Sequence, residues 1–191
     1  MAGAQERVLR RRIGSVGNTK KITRAMELIS ATRVTKAQQR AREARPYATE
    51  ITKVIQDLSA QGTSVDHPLL RQNEDPKVVG VVVLASDRGL AGAYNASVIR
   101  AAEREVQAAR SEGREYRLVC VGKKSSSYFR FRGYTIDAEF EGISDTPVYS
   151  NAREVAGKVA AMFLSEGVER IMLAYTEFVS LGTQKPRVRR F

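Results

Sequence analysis

The sequence has few of the residues that most often build catalytic and metal sites. Its 191 residues include one cysteine, one histidine and no tryptophan. A single cysteine excludes an internal disulfide, and Cys120 stands among apolar residues, which predicts a buried strand position. A single histidine, His67, cannot assemble a catalytic triad or a transition-metal site alone, and its place before Pro68 predicts a loop. We expect no metal ion and no cofactor.

Long apolar runs are also missing. No stretch reaches the ~20 apolar residues that a membrane-spanning helix requires. The N-terminal segment MAGAQERVLRRRIG is basic but has no apolar core of ~7 to 15 residues, so it does not predict a secretory signal. A hydrophobic content of 42% and a charged content of 28% are typical of a soluble folded protein. We therefore expect a protein that stays in the cytosol and does not span a membrane.

The net charge is strongly positive. There are 32 lysines and arginines against 21 carboxylates, a formal charge of +11. Such a surface attracts acidic protein faces, anionic lipid or nucleic acid. The cations are concentrated in the first sixty residues, which are therefore the expected contact surface. Aromatic residues for base stacking are absent from this segment before Tyr47, so we expect no nucleic-acid binding.

Residues 5–59 have the composition of one long helix, because Ala, Arg, Lys, Gln and Glu dominate and Pro46 is the only proline. At ~1.5 Å per residue this helix would reach ~80 Å. Apolar residues alternate in steps of three and four, the spacing of a coiled-coil seam. The seam consists of Val34, Ala37, Ala41, Ala44, Ala48, Ile51, Ile55 and Leu58. We expect a helical partner along it, and a kink or loosening at Pro46.

A second unit follows a stretch that contains glycine and proline. We predict a helix over 1–60, a linker over 61–77 and a globular unit over 78–191. In the last of these, strands and helices alternate, which is typical of a small open sheet with right-handed parallel crossovers. The predicted strands are 78–85, 118–121, 134–140 and 168–179, and the predicted helices are 95–110, 123–132 and 150–165, the first capped by Asn95. The expected fold class is α/β: a long N-terminal coiled-coil helix followed by a small Rossmann-like open sheet domain.

The loop after the first sheet strand is the strongest candidate for a small-molecule site. It reads SDRGLAGAYN and leads into a helix, the place where α/β folds often hold phosphate. Its only glycines are Gly89 and Gly92, which falls short of a dinucleotide fingerprint. The favoured interpretation is a structural loop in which Asp87 accepts hydrogen bonds from the backbone or from Arg88. The alternative is a small phosphate- or nucleotide-binding domain that uses Asp87 to Asn95.

Four segments along nearly the whole chain resemble the gamma subunit of F-type ATP synthase. RIGSVGNTKKITRAME at 12–27 resembles the opening helix of that family, and RPYA at 45–48 resembles a later part of it. SDRGLAGAYN resembles the sheet-to-helix loop of the family, and YTEFVS at 175–180 its late strand. The order and spacing of the family are kept. Ala91 stands where many members have cysteine, and the sequence stops at Phe191, before the long C-terminal helix of the family, so we expect a truncated form or a fragment.

The resemblance implies a mechanical role. The chain would belong to the central-stalk rotor, which transmits torque between the proton-driven c-ring and the catalytic alpha/beta ring and so couples proton transport to ATP synthesis. Implied partners are the alpha, beta and epsilon subunits and the c-ring, with no catalysis by the chain itself. The implied location is peripheral, on the cytoplasmic face of the bacterial plasma membrane. The implied contacts to the catalytic ring are Lys20, Lys21, Arg24 and Met26.

Overall fold

The computed structural model describes residues 2–60, 67–71 and 73–191, and the side chains of all of these except 2, 58–60 and 70. The chain divides into two compact units, residues 1–65 and 66–191. None of the described helices is long and apolar enough to cross a membrane. The elements are α1 (Ala2–Ala60), a 3-10 turn (Pro68–Leu70), β1 (Val78–Leu84), α2 (Tyr94–Ser111), β2 (Glu115–Val121), α3 (Lys123–Phe131), β3 (Ala138–Phe140), α4 (Tyr149–Leu164), β4 (Arg170–Ser180) and β5 (Thr183–Arg190).

The first unit consists of α1, a helix of 59 residues and therefore about 88 Å long. Strong helix formers fill it, and ion pairs one turn apart support it, such as Arg10 with Glu6 at 2.8 Å. The helix continues through Pro46. The seam side chains from Val34 to Ile55 are exposed, whereas the side chain of Leu58 lies outside the described residues.

The second unit is built on a five-stranded sheet in the order β3-β2-β1-β4-β5. Strands β1 to β4 are parallel to one another, and β5 pairs antiparallel with β4. The valine run of β1 is buried on both sides, as the position of a central parallel strand requires.

Helices cover the two faces of the sheet. The face under α2 and α3 holds the larger core, which includes Val81, Val106 and Phe129. The opposite face packs against α4, with Val82, Val159 and Met162 in its core. Together with the long helix, this arrangement confirms the predicted α/β fold class.

Two local predictions were wrong, and one strand was missed. The predicted strand 134–140 pairs only over Ala138–Phe140, because Tyr134 folds back onto α3, where its backbone N–H donates to the carbonyl of Phe129 at 2.9 Å. The residue at the cap of α2 is Ala93, while Asn95 lies inside the helix and uses its side chain elsewhere. Strand β5 was not predicted at all.

The segment that leads into the sheet is held to the second unit by several contacts. Pro76 is buried, and Arg170 Nη2 donates to the carbonyl oxygens of Asn73 at 3.3 Å and Glu74 at 3.0 Å. Of the predicted linker 61–77, residues 61–66 and 72 lie outside the described residues.

Candidate functional site

The predicted ring contacts lie in the first half of α1 and are exposed. Lys20 and Arg24 are about one helical turn apart, and Lys21 is offset from Lys20 by ~100° around the axis, so the three cations share one side. Met26 points to the other side and is 39% exposed. The four residues therefore belong to two different surfaces of the helix.

The cationic side of α1 is only partly neutralised. Arg24 Nη1 donates to Glu27 Oε2 at 2.7 Å, and both side chains are largely exposed, so this pair contributes at most ~1 kcal/mol to stability. Among the described residues, Lys20 and Lys21 form no ion pair. This side therefore presents a positive surface to an acidic partner.

The other side of α1 carries an apolar band. Ile22, Met26 and Ile29 follow one another at the spacing of one helix face, and that face continues into the seam. Val34 and Ile51 in the seam are each 42% exposed. An apolar band of this length on one helix is the kind of surface that a second helix covers.

Asp87 ties three loops together where the parallel strands end. Its Oδ1 accepts from the backbone N–H groups of Lys123 at 3.0 Å and Gly142 at 2.9 Å. Its Oδ2 accepts from the backbone N–H of Ser144 at 2.9 Å and from the Oγ of the same residue at 2.7 Å. Burial favours the neutral acid, but these four donors outweigh it and lower the pKa of Asp87 from 3.8 to about 2. The carboxylate therefore acts as an internal clamp.

The remaining loop residues also bond within the protein. Arg88 forms an ion pair with Asp145, whereas the sequence suggested Asp87 as its acceptor. Asn95 Oδ1 accepts from the backbone N–H of Ser86 at 2.9 Å, and Asn95 Nδ2 donates to the carbonyl of Arg88 at 3.2 Å. The loop is thus closed by its own side chains.

These bonds leave little capacity for a phosphate at the start of α3, the helix that begins beside this loop. A helix start offers unpaired backbone N–H groups to an anion. The N–H of Lys123 is bonded to Asp87, and the N–H of Lys124 is bonded to the carbonyl of Ser86 at 3.0 Å. An incoming anion would have to displace the Asp87 carboxylate or lie beside it, and like charges at that distance repel.

The tip of the same loop carries an exposed residue that sequence reasoning missed. Leu90 is 88% exposed and has a φ of 59°, a conformation that is costly for a residue with a side chain. Gly92 beside it also has a positive φ. An apolar side chain held outward in this way is a candidate contact surface. The signal in the sequence was a large apolar residue between Gly89 and Gly92 in the loop.

The other candidates for chemistry have structural roles. Burial raises the pKa of the Cys120 thiol to about 12, and the nearby charge of Glu139 adds to the effect. His67 Nδ1 accepts from the backbone N–H of Leu69 at 3.2 Å, which begins the 3-10 turn. Within the described ranges, no three His, Cys, Asp or Glu side chains come together as metal ligands do.

Comparison with known proteins connects this fold to one family. A family model described as ATP synthase matches residues 5–191. The ATP synthase gamma chain of Frankia casuarinae is 47% identical over 194 residues, an alignment that covers 100% of this chain and 64% of the relative. The gamma chain of Saccharopolyspora erythraea is 44% identical over 201 residues, covering 98% of this chain and 65% of the relative. This chain belongs to the ATP synthase family, within its gamma chains.

Structural comparison agrees on the fold. A chain from the central stalk and c-ring structure of Tetrahymena thermophila mitochondrial ATP synthase superposes with a TM-score of 0.70 at 22% identity, covering 89% of this chain and 71% of that chain. The chain spans less than two thirds of the length of the curated relatives described above.

Proposed function

We propose that the chain forms part of the central-stalk rotor of an F-type ATP synthase. In this role it transmits torque between the proton-driven c-ring and the catalytic alpha/beta ring, and so couples proton transport to ATP synthesis. The observation that carries the proposal is the combination of family membership with α1, a helix of 59 residues that exposes a cationic side and an apolar band. Both surfaces suit a shaft that is enclosed by partners.

The two sides of α1 have different tasks in this proposal. Lys20, Lys21 and Arg24 face acidic positions on the catalytic ring. The seam from Val34 to Leu58 packs against a second helix of the shaft. Met26, which the resemblance assigns to the ring, lies on the same side of α1 as this seam. A shaft whose sides differ in this way holds the catalytic subunits in different conformations. The coupling free energy arises because these conformations differ in their affinity for ligands.

The unit formed by the sheet has no catalytic task in this proposal. The predicted helix over 1–60 is the shaft, and the predicted globular unit over 78–191 lies at the epsilon subunit and the c-ring. ATP chemistry takes place on the partner subunits. The chain is then a peripheral component on the cytoplasmic face of the bacterial plasma membrane.

The alternative is a phosphate- or nucleotide-binding domain that uses the loop from Asp87 to Asn95. It is disfavoured because Asp87 occupies the N–H of Lys123, where an anion would bind. Titration with inorganic phosphate and with ATP distinguishes the two functions. Saturable binding of either ligand by the unaltered chain would support the alternative.

Charge reversal on α1 tests the rotor function. In the full-length protein assembled with its ATP synthase, the double variant Lys21→Glu/Arg24→Glu should lower ATP-driven proton pumping far more than ATP hydrolysis. Stability should change by less than ~0.5 kcal/mol because both side chains are exposed. The matched control Lys36→Glu/Arg42→Glu changes the same number of charges farther along α1 and should keep pumping. Equal effects of the two pairs would refute the assigned contact.

A further inference from the structure

We propose that one open face of the second unit binds an amphipathic helix of a partner protein, with carboxylates along one flank of that helix. The binding surface has two parts: an apolar groove between α4 and the sheet, and a row of cations on β5. The inference rests on residues 66–191 alone and goes beyond the proposed function.

The groove exists because the two faces of the sheet are covered unequally. Helices α2 and α3 pack on one face, and α4 alone packs on the other. Beside α4 lies a cavity of about 320 Å³ with an almost entirely apolar lining. Val82, Leu84 and Leu173 form part of its floor, and Ala152 and Ala156 form part of its wall. Alanines at a spacing of four along α4 leave room for another helix to approach closely.

One rim of the groove is formed by Phe191, whose ring lines the cavity. Its backbone N–H donates to the carbonyl of Ile171 at 2.9 Å, so the residue is held at the edge of the sheet. The ring adds apolar surface to the rim, which suits the apolar face of a bound helix.

A row of cations continues from this rim along β5. Arg189 pairs in register with Leu173, which lines the groove, and residues opposite each other in an antiparallel pair share a face. Arg187 and Lys185 follow at alternate positions and point to the same side. On the paired part of β4, Glu177 is the carboxylate on this face, and it accepts from Arg187 Nε at 2.9 Å. Positive charge is therefore in excess along the row.

The partner does not bind by adding a strand to the sheet, although β5 is an edge strand. Because the N–H of Phe191 points toward β4, so do the N–H groups of Arg189, Arg187 and Lys185. Pro186 then occupies a position whose N–H would point outward, and proline has none. This gap interrupts the hydrogen-bond ladder that an added strand needs. Binding must therefore use side chains and the groove.

A helix with an acidic flank fits this surface. Alternate residues of a strand are ~6.8 Å apart, and residues four apart on a helix are ~6.0 Å apart, so glutamates at i, i+4 and i+8 can follow the three cations. The apolar face of such a helix then turns toward the groove, which is the common mode of helix recognition.

Binding of a designed peptide tests the proposal with the 191-residue chain. The probe is a helical peptide of about 18 residues with leucines on one face, glutamates at i, i+4 and i+8 on the flank, and one tryptophan on the apolar face. The chain has no tryptophan, so the fluorescence of the peptide reports binding without background. We expect saturable binding that weakens as salt rises. A peptide with lysines in place of the glutamates should bind at least about tenfold more weakly.

Variants of the chain locate the site. Lys185→Glu/Arg189→Glu should weaken binding of the acidic peptide on the order of tenfold. Ala156→Leu, which fills the groove, should weaken binding of both peptides. Arg190→Glu is the matched control, because Arg190 is on the same strand with its side chain on the other face, and it should change the affinity less than about twofold. Equal binding of the two peptides, an equal loss in Arg190→Glu, or no binding at all would overturn the proposal. Self-association that Ala156→Leu abolishes would also overturn it, since the occupant would then be a second copy.

Discussion

Replacement of Asp87 by asparagine removes a charge that four donors share. The side chain keeps its shape, but one carboxylate oxygen becomes an NH2 group. That group would face backbone N–H groups of Gly142 and Lys123 or the N–H and hydroxyl of Ser144, depending on its orientation. The clamp between the loops after β1, β2 and β3 should therefore weaken.

The pKa of Asp87 sets the size of the effect. A decrease from 3.8 to about 2 corresponds to ~2.5 kcal/mol of preference for the charged form in the folded protein. The carboxylate is half-buried, and solvent screening reduces this value, so we expect a destabilisation of about 1 to 2 kcal/mol at pH 7. The charged form is the stabilising one. Its contribution is complete above pH ~4 and is lost as the pH falls from about 4 to about 2.

Urea unfolding followed by near-UV circular dichroism measures this change. Six of the seven tyrosines lie in residues 66–191, so the signal reports the second unit. Between pH 7 and pH 3 the free energy of unfolding should fall more steeply for the unaltered chain than for Asp87→Asn. The control Asp75→Asn alters a carboxylate that is 92% exposed and should change stability by less than ~0.5 kcal/mol. If Asp87→Asn is as stable as that control, the carboxylate does not clamp the loops.

Three further outcomes are expected. Gly122→Ala should lower the free energy of unfolding in urea by ~3 kcal/mol or more, because the added Cβ would lie 2.3 Å from the carbonyl oxygen of Ala85. Gly113→Ala, where φ is 73° but the space is open, should lower it by ~1 kcal/mol. Equal losses in the two variants would contradict the contact at Gly122. In the isolated chain, the backbone amides of residues 34–55 should exchange with deuterium faster than those of residues 78–84. The reason is that a helix without tertiary packing is weakly protected. Equal protection of the two segments would mean that the seam is already covered. Cys120 should react with a thiol reagent only as fast as the second unit opens, and rapid labelling in native buffer would contradict its burial.

Much of the architecture was predictable from local pattern. The valine run of β1 and the helix-forming composition of α1 are strong signals that tertiary contacts do not reverse. Strand β5 lacked such a signal, because its residues are basic and polar and it forms by pairing with β4. In the structure only Leu181 and Gly182 separate the two strands, which is a two-residue hairpin connection.

The candidate site was less predictable because its contacts are distant in sequence. The sequence offered Asp87 as a hydrogen-bond acceptor, but its partners Gly142 and Ser144 are 55 and 57 positions away. No local pattern encodes such a pairing. The same holds for Tyr134, whose hydroxyl donates to Glu103 at 3.0 Å and which is therefore withdrawn from the predicted strand.

The central claim is that α1 is a shaft helix that binds the catalytic ring through its cationic side. Copurification tests it most directly: the full-length protein is coexpressed with the alpha and beta subunits, and tagged beta subunit is captured. The account predicts that the protein elutes with both subunits, and that Lys20→Glu/Lys21→Glu/Arg24→Glu lowers its recovery while Lys36→Glu/Arg42→Glu does not. Absence of the protein from the material that elutes with the tagged beta subunit, or equal recovery of both variants, would contradict it.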